Sequence, residues 1–360
     1  MSKADLELLL TKDVSYLDNK QLWIWGTGNT AQMYQEGLLR WSYYRNVAGY
    51  TDGNPEKWGK QFCGKKIVSP KELKNMNNVF VLICSNQINY INEISKQLEE
   101  LELDFALLDE IALVTCKEQV LKSYEIMETQ KSKDLYEYLV RCKMKGIYPS
   151  AESGLLDIYH GYFSVPQMLA QRDDEVFLDI GCYTGDTIKE FLDKNTKFDK
   201  IISFEPDLEN YEKAQKNIET YCRDYKINNN KILLYPYGVG AQSVMGGFER
   251  FEETNGEGSK FISNNDGAGN DMVKLVSIDE FIEQKYTILK ADVESFEYQV
   301  LVGARKSIKK WKPRLAICVY HNIFDFIQLP LLIKEFVPDY KINICQHAAS
   351  WYDTVIYAWL

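Results

Sequence analysis

A short segment in the second half of the chain combines an acid, two glycines and a helix start. The sequence VFLDIGCYTGDTIKEFL has a β-rich run ending at Asp179, a turn with Gly181 and Gly185, and an apolar-periodic helix beginning near Thr187. Glycines in such a turn let the backbone approach a ligand closely, because a Cβ would collide with it. The turn lacks the G-x-G-x-x-G spacing and the lysine of phosphate-binding loops, so it suits a methionine chain and a ribose better than a pyrophosphate. We therefore predict cofactor contacts from this turn and from Asp186 and Thr187.

A second acid follows at the spacing at which nucleotide-type folds hold a ribose. The segment IISFEPDLENYEKA places Glu205 at the end of the next strand, about 20 to 25 residues after the glycine turn. A carboxylate there can accept two hydrogen bonds from ribose hydroxyls. Two plainer interpretations stay open, namely that Asp179 only caps the helix and that Glu205 is an exposed acid. The combination of strand, turn, helix, strand and acid favours a nucleoside-type cofactor.

Two further strand ends carry acids and a histidine. In TILKADVESFEYQVLVGARKSIKKWKPRLAICVYH, one strand ends at Asp292 and Glu294 and another ends at His321. The carboxyl ends of parallel strands lie on one edge of a sheet, where ligands bind, so we expect these side chains to converge. An imidazole titrates near neutral pH, which makes His321 the predicted general base, with Asp292 or Glu294 orienting it or taking the proton directly. Two alternatives stay open: either His321 only bonds to a backbone carbonyl, or Asp292, Glu294 and His321 together hold a divalent cation. No metal is assigned.

The elements that must position these residues form two α/β series. Residues 21–114 alternate strands and helices, residues 117–172 are mostly helical, and a second alternation begins at 175. Strands that alternate with helices of this length indicate βαβ units and parallel sheets. We predict two Rossmann-like doubly wound domains joined by a helical connector, with bounds of 1–116, 117–172 and 173–360. Within the connector, Tyr162 and Phe163 are expected to pack in the core, with contact to a ligand as the alternative.

The first series carries its own nucleotide-type motif. WGTGNTA fits G-x-G-x-x-A between a strand and a helix, and Asp52 follows about 20 residues later, which is a fuller dinucleotide fingerprint than a lone glycine pattern. No histidine lies in residues 1–150, and no acid–base set for hydride transfer is evident there. We predict that this domain binds a nucleotide or nucleotide-sugar or serves as a docking surface. An NAD-dependent oxidoreductase is the alternative.

Composition limits the class of protein. The net charge is -10, with 45% hydrophobic and 26% charged residues, as in a globular protein with packed cores. The compact basic run at 305–312 is expected to end an exposed helix, so no nucleic-acid partner is expected. No apolar stretch reaches the roughly 18 residues of a membrane span, and the N-terminus lacks signal-peptide features. The eight cysteines are scattered without a C-x-x-C pair, which favours reduced thiols and a cytoplasmic location. Homo-oligomerisation stays open.

The second half resembles the FkbM methyltransferases. The similarity covers about residues 155–360 in order, through the segments EVFLDIGCYTGDTIKEF, FEP, VSIDEF, ILKADVESFEYQVLVGA, PRLAICVYH, YKINICQH and DTVIYA. The resemblance implies a Rossmann-like methyltransferase fold, S-adenosylmethionine as methyl donor, and a hydroxyl oxygen of a sugar, glycan or natural product as acceptor. The resemblance also assigns family positions to two groups of residues. Asp179, Gly181, Gly185 and Glu205 match the cofactor-binding positions. Asp292, Glu294 and His321 match the acid–acid–histidine signature.

Two positions depart from the family pattern. Ser295 stands where a glycine usually follows the acids, and Gln346 precedes His347 where an arginine is common. The serine is expected to crowd the cofactor edge, and the glutamine removes a charged contact to an acidic acceptor. A non-catalytic binding protein built on a methyltransferase fold is therefore a further alternative. In the first half, GYTDGNPEKWGKQFCGKKIVSPKEL resembles N-terminal domains of sugar-modifying enzymes in polysaccharide pathways.

Overall fold

The computed structural model describes residues 3–158, 161–169, 173–195, 197–249, 260–262 and 271–360. The chain forms two compact units, each built from several segments. Unit 1 consists of Met1–Leu156, Tyr320–Leu331 and Ala348–Tyr352. Unit 2 consists of Asp157–Val319, Leu332–His347 and Asp353–Leu360.

Unit 1 is a six-stranded sheet flanked by helices. Its strands are β1 (Gln21–Trp25), β2 (Val47–Thr51), β3 (Gln61–Phe62), β4 (Lys65–Val68), β5 (Val79–Ile83) and β6 (Phe105–Leu107). Its helices are α1 (Lys3–Leu9), α2 (Asn29–Met33), α3 (Gln35–Leu39), α4 (Pro70–Leu73), α5 (Ile88–Glu100), α6 (Leu108–Thr115), α7 (Lys117–Glu125) and α8 (Gln130–Lys145). The strand order is β3-β4-β2-β1-β5-β6, and all pairs are parallel except the β3–β4 hairpin.

The apolar runs of unit 1 explain this arrangement. Strand β5 (VFVLI) is buried at every position, as expected for a central parallel strand covered on both faces. Gly26 ends β1 with a φ of +127°, and a Cβ there would lie 2.8 Å from the carbonyl oxygen of Cys84. Helix α8 begins at a Thr129 cap and ends at Gly146 in the left-handed conformation. The backbone N–H of Gly146 bonds to carbonyl oxygens of the last turn of α8, which ends the helix after Lys145.

Unit 2 contains a seven-stranded sheet and a smaller four-stranded one. Its strands are β7 (Val176–Ile180), β8 (Lys200–Phe204), β9 (Ile232–Tyr235), β10 (Gly238–Val239), β11 (Val244–Glu249), β12 (Lys260–Ile262), β13 (Asp271–Val276), β14 (Ile288–Ala291), β15 (Arg314–Cys318), β16 (Lys341–Gln346) and β17 (Thr354–Trp359). Its helices are α9 (Asp186–Lys194), α10 (Leu208–Asp224), α11 (Ile278–Phe281), α12 (Glu297–Gly303) and α13 (Arg305–Trp311). Helix α14 (Ile323–Phe336) begins in the unit 1 segment and ends in unit 2.

The large sheet of unit 2 has the order β16-β17-β15-β14-β7-β8-β9. The strands from β15 to β9 are parallel, and β17 runs antiparallel to both of its neighbours. Four phenylalanine rings with centroids 5.1 to 5.5 Å apart pack on one another beside β7: Phe163, Phe177, Phe191 and Phe198. Phe163 therefore lies in the core, as expected.

The predicted fold class is confirmed, because both units are α/β structures dominated by parallel strands. The predicted domain bounds remain a prediction. Helices α7 and α8, which fall in the predicted connector, belong to unit 1. Among the described residues, no helix combines the length and apolar character needed to cross a membrane. All eight cysteines are free thiols.

Candidate active site

The carboxyl ends of three adjacent strands bring the predicted cofactor residues together in unit 2. Strand β7 lies between β14 and β8 in the sheet. Asp179 is the next-to-last residue of β7, Glu205 directly follows β8, and Asp292 directly follows β14. The edge of one parallel sheet thus collects all three acids, as its topology predicts.

The two glycines of the turn after β7 are required for different reasons. Gly181 has a φ of +76°, and a Cβ there would lie 1.9 Å from the backbone oxygen of Asp292. Gly185 also has a positive φ, at +85°, but a Cβ would meet nothing nearer than 3.8 Å. Gly181 therefore lets the end of β14 close against the turn, whereas Gly185 is needed for its backbone conformation at the start of α9. Asp186 is exposed in the first turn of α9, and Thr187 beside it is buried.

A buried lysine, which the sequence analysis did not identify, faces Asp179. The ammonium of Lys290, in β14, lies 3.4 Å from Asp179 Oδ1 and donates to the carbonyl oxygen of Gly181 at 2.5 Å. Burial raises the pKa of Asp179 to about 7. Burial by itself would lower the pKa of Lys290, but the charges of Asp179 and Asp292 outweigh it and the pKa is raised. The available signal was a lysine inside the apolar run ILKA, since lysines are rarely buried unless paired.

The Asp179 carboxylate has hydrogen-bonding capacity to spare. Apart from the ion pair with Lys290, neither of its oxygens accepts a hydrogen bond within the described part of the chain, although the residue is fully buried. Buried carboxylates are normally hydrogen-bonded, so a group in this state indicates a missing donor. The amino group of a ligand could supply such a donor.

Glu205 is buried rather than exposed. Its two carboxylate oxygens accept the backbone N–H groups of Tyr183 at 2.9 Å and Asp207 at 3.0 Å. Burial nevertheless raises the pKa of Glu205 to about 8. Each oxygen keeps a second lone pair, so the carboxylate can accept from the two hydroxyls of a diol.

Tyr162 reaches the same edge from the segment before the sheet. Its hydroxyl donates to Asp292 Oδ2 at 2.9 Å and lies 3.2 Å from Cys318 Sγ. The Lys290 ammonium is 5.3 Å from the centre of the Tyr162 ring. Glu190, in α9, holds this segment by accepting the backbone N–H groups of Tyr162 at 3.1 Å and Phe163 at 2.8 Å. Tyr162 thus lies at the sheet edge that carries the predicted cofactor residues, and its contact with a ligand stays a prediction. Phe163 packs in the core, as expected.

The loop after Asp292 explains why glycine suits position 295. Glu294 and Ser295 have φ values of +54° and +74°, a left-handed conformation that costs a non-glycine residue free energy. Ser295 is buried, and its hydroxyl has no hydrogen-bond partner among the residues described. Glu297, at the start of α12, accepts the backbone N–H of Val293 at 2.8 Å and fastens the loop.

His321 lies in the segment that belongs to unit 1. It is buried, and its ring centre is 4.0 Å from that of Tyr320. His347 is in unit 2, where Nδ1 is 3.1 Å from the Asp157 carbonyl oxygen and Nε2 is 2.9 Å from the Tyr357 hydroxyl. Burial lowers the pKa of His347. Gln346 is buried and accepts a hydrogen bond from the Thr354 hydroxyl.

The acid of the N-terminal motif is engaged by its own loop. Asp52 Oδ2 accepts from the backbone N–H of Thr27 at 3.1 Å and from the Lys57 ammonium at 3.1 Å, and Oδ1 accepts from the Asn54 N–H at 2.9 Å. Burial would raise the pKa of Asp52, but the hydrogen bonds from Thr27, Asn54 and Lys57 outweigh it and the pKa is lowered. A ribose at this position would therefore compete with contacts that the unit already makes.

Two family models match the chain in separate segments. Residues 179–347 match the model of the methyltransferase FkbM domain, and residues 18–106 match the model of the C2185-like N-terminal domain. The first match includes every residue predicted for the cofactor and the signature. No curated protein matches the chain.

Several solved structures are similar to the chain. A methyltransferase FkbM from Methylobacillus flagellatus KT superposes with a TM-score of 0.58 at 18% identity, covering 99% of this chain and 98% of that one. An rRNA methylase from Streptococcus thermophilus has a TM-score of 0.30 and 13% identity over 52% of this chain and 85% of its own. A Streptococcus mutans protein, provisionally assigned as a methyltransferase and solved in complex with SAH, has a TM-score of 0.33 and 15% identity over 56% of this chain and 100% of its own. The first of these likenesses shows a common fold.

Proposed function

We propose that the protein transfers a methyl group from S-adenosylmethionine to a hydroxyl oxygen of a sugar, glycan or natural product. The match of residues 179–347 to the model of the methyltransferase FkbM domain supports this proposal. The observation that carries the proposal is the fully buried Asp179 carboxylate, which accepts no hydrogen bond within the described ranges, on the same sheet edge as Glu205. Together these acids offer acceptors for an amino group and for a ribose diol.

Each residue at the edge has a distinct role in this proposal. Glu205 accepts the ribose hydroxyls, and Asp179 accepts the amino group of the methionine part. Lys290 keeps its charge and ties Asp179 to the Gly181 carbonyl, which fixes the carboxylate before the ligand arrives. S-adenosylmethionine supplies an electrophilic methyl group on a sulfonium. Holding donor and acceptor in line supplies several kcal/mol of the rate enhancement by positioning.

The acceptor hydroxyl must lose its proton as the new bond forms. His321 stays the predicted base, because an imidazole is partly neutral at physiological pH. Asp292 is the second candidate, and the Tyr162 hydroxyl at 2.9 Å orients its carboxylate. Glu294 stays a predicted member of the signature.

The cofactor assignment is tested by calorimetric titration of the protein with S-adenosylmethionine. Replacing Glu205 by Gln is expected to weaken binding about tenfold or more, because a neutral amide loses a charge-assisted contact to the ribose. Glu212→Gln, an exposed acid on α10, is the matched control and should bind as wild type. Undiminished binding by Glu205→Gln would contradict the site.

The acceptor chemistry is tested with S-adenosylmethionine carrying a ¹³C-labelled methyl group and a panel of sugars and polyols. The carbon shift of the product distinguishes an O-methyl group from N-methyl or C-methyl groups. His321→Ala is expected to keep cofactor binding and to lower turnover, and unchanged turnover would remove His321 as the base. Tight cofactor binding without transfer to any acceptor would favour the non-catalytic alternative.

A further inference from the structure

Unit 1 contains a pocket at the carboxyl edge of its own sheet. From β1 the chain builds outward through β2 and β4 on one side and through β5 and β6 on the other. The boundary between β1 and β5 is therefore the switch point at which open α/β sheets bind ligands. Ser85 and Asn86, after β5, and Asp109, after β6, line the pocket there.

A buried ammonium lies in the wall of this pocket. Lys143, in the last turn of α8, is only 4% exposed, yet within the described residues it donates no hydrogen bond. Its Nζ is 3.9 Å from Asp109 Oδ2, beyond hydrogen-bonding distance, and 4.6 Å from the centre of the Trp351 ring. The other oxygen of Asp109 accepts from the Tyr34 hydroxyl at 2.6 Å. Desolvation lowers the pKa of Lys143 and raises that of Asp109, which reflects the same shortage of polar partners.

The spacing of these groups selects a ligand chemistry. Buried ammonium groups normally donate hydrogen bonds, so three free N–H donors beside a carboxylate indicate a polar ligand. A hydroxyl group can accept from Lys143 and donate to Asp109 at the same time, whereas the carboxylate would repel a phosphate. Ile83, Ile91 and Leu107 add an apolar wall, which fits the C–H groups of a ring.

We infer that the pocket lined by Lys143, Asp109, Asn86 and Trp351 binds a sugar ring or another cyclic polyol through its hydroxyl groups. His321 also lines this pocket. To identify the bound ring as the methyl acceptor would rest on the proposed function. The binding of a ring in this pocket does not depend on that function. The glycine-loop acid Asp52 has no part in the site, since its carboxylate is held by Thr27 and Lys57.

The test is ligand-observed saturation-transfer NMR on the full-length protein without S-adenosylmethionine. The probes are glucose, galactose, mannose, N-acetylglucosamine, rhamnose, glucuronate and myo-inositol. At least one is expected to receive saturation, and titration should give an affinity that Lys143→Met weakens about tenfold or more, as loss of a charge-assisted hydrogen bond does. Lys145→Met removes the same charge from an exposed position two residues on and should leave the affinity unchanged.

A second variant keeps the test decisive. Asp109→Asn retains an acceptor for the Tyr34 hydroxyl but loses the negative charge, and it should also weaken sugar binding. It serves as the test if thermal melting shows that Lys143→Met does not fold. Absence of transfer to every probe in the wild type would overturn the inference, as would wild-type affinity in both variants. Binding of inorganic phosphate in place of any sugar would identify an anion site instead. Cofactor titration in the same samples reports on the proposed function separately, so the two can fail independently.

Discussion

The protonation of two buried carboxyl groups in unit 2 can respond to a bound ligand. Glu205 and Asp179 have pKa values raised by burial to about 8 and about 7, so near neutral pH a large fraction of each is protonated. A ligand that donates hydrogen bonds to them favours their charged forms. Binding of such a ligand is therefore expected to release protons from both acids.

This coupling predicts a pH-dependent affinity for S-adenosylmethionine. Affinity should rise as pH increases from 6 toward about 8, because fewer protons must be displaced from Glu205 as pH approaches its raised pKa. Calorimetry in two buffers of different ionisation enthalpy would measure the protons released. Glu205→Gln should reduce that number. A pH-independent affinity with no proton release would contradict the assignment.

Ser295 gives a second prediction for a single side chain. Its φ of +74° strains a serine but not a glycine, so Ser295→Gly should raise the free energy of unfolding by about 1 kcal/mol over Ser295→Ala. The alanine variant separates backbone strain from the buried hydroxyl, because it removes only the hydroxyl. Denaturant unfolding of both variants provides the measurement. Equal stability of the two would show that the left-handed conformation carries no cost here.

Two connections around the edge depend on carboxylates that cap backbone N–H groups. Glu190 of α9 fastens the segment that carries Tyr162, and Glu297 of α12 fastens the loop after β14. Both connections carry side chains to the edge, so their positions depend on a few charge-assisted hydrogen bonds. Helix α9 therefore supports the edge at two points, because its first turn follows Gly185 and Glu190 in its middle holds the Tyr162 segment.

Replacing Glu190 by Gln tests this support. The amide can accept from only one of the two N–H groups through its single carbonyl oxygen, so the free energy of unfolding should fall by about 1 to 3 kcal/mol. Affinity for S-adenosylmethionine should fall with it, because Tyr162 would no longer be held against Asp292. Glu212→Gln serves again as the exposed control. A loss of stability together with undiminished affinity would show that the Tyr162 segment does not contribute to cofactor binding.

The whole molecule carries a net charge of -10 and several acids whose pKa values are raised by burial. In the folded state Asp179 and Glu205 keep protons to higher pH than in the unfolded chain, where their ordinary values are 3.8 and 4.5. The folded state thus binds more protons than the unfolded state between those values and about 7 or 8. These two groups are therefore expected to lower the free energy of unfolding as pH rises through this window.

A thermal melting series from pH 5 to 8 measures this effect. The midpoint of the ligand-free protein should fall across the range, with each group contributing at most about 1.4 kcal/mol per pH unit. Glu205→Gln should make the slope shallower, whereas Glu212→Gln should not. A midpoint that rises steadily to pH 8 would contradict the raised pKa values. Saturating S-adenosylmethionine is expected to flatten the slope as well, because the ligand favours the ionised carboxylates.

Local patterns determined the fold class and most of the residues that meet at the carboxyl edge of the large sheet in unit 2. Alternating apolar runs and helical periodicity predict two parallel α/β structures, because strand and helix periods are properties of neighbouring residues. Since the carboxyl ends of parallel strands share one edge, the placement of Asp179, Glu205 and Asp292 together followed as well. Gly181 and Gly185 were identified by the same local logic. The sequence did not predict that the backbone oxygen of Asp292 lies close to Gly181.

Only the tertiary structure decided which charged groups are buried and to which unit each segment of the chain belongs. Lys290 and Lys143 look like ordinary lysines in the sequence, and their importance comes from burial beside Asp179 and Asp109. The segment with His321 belongs to unit 1 although its neighbours in the sequence belong to unit 2. Burial and ion pairing depend on contacts between residues far apart in the chain, and no local period encodes them.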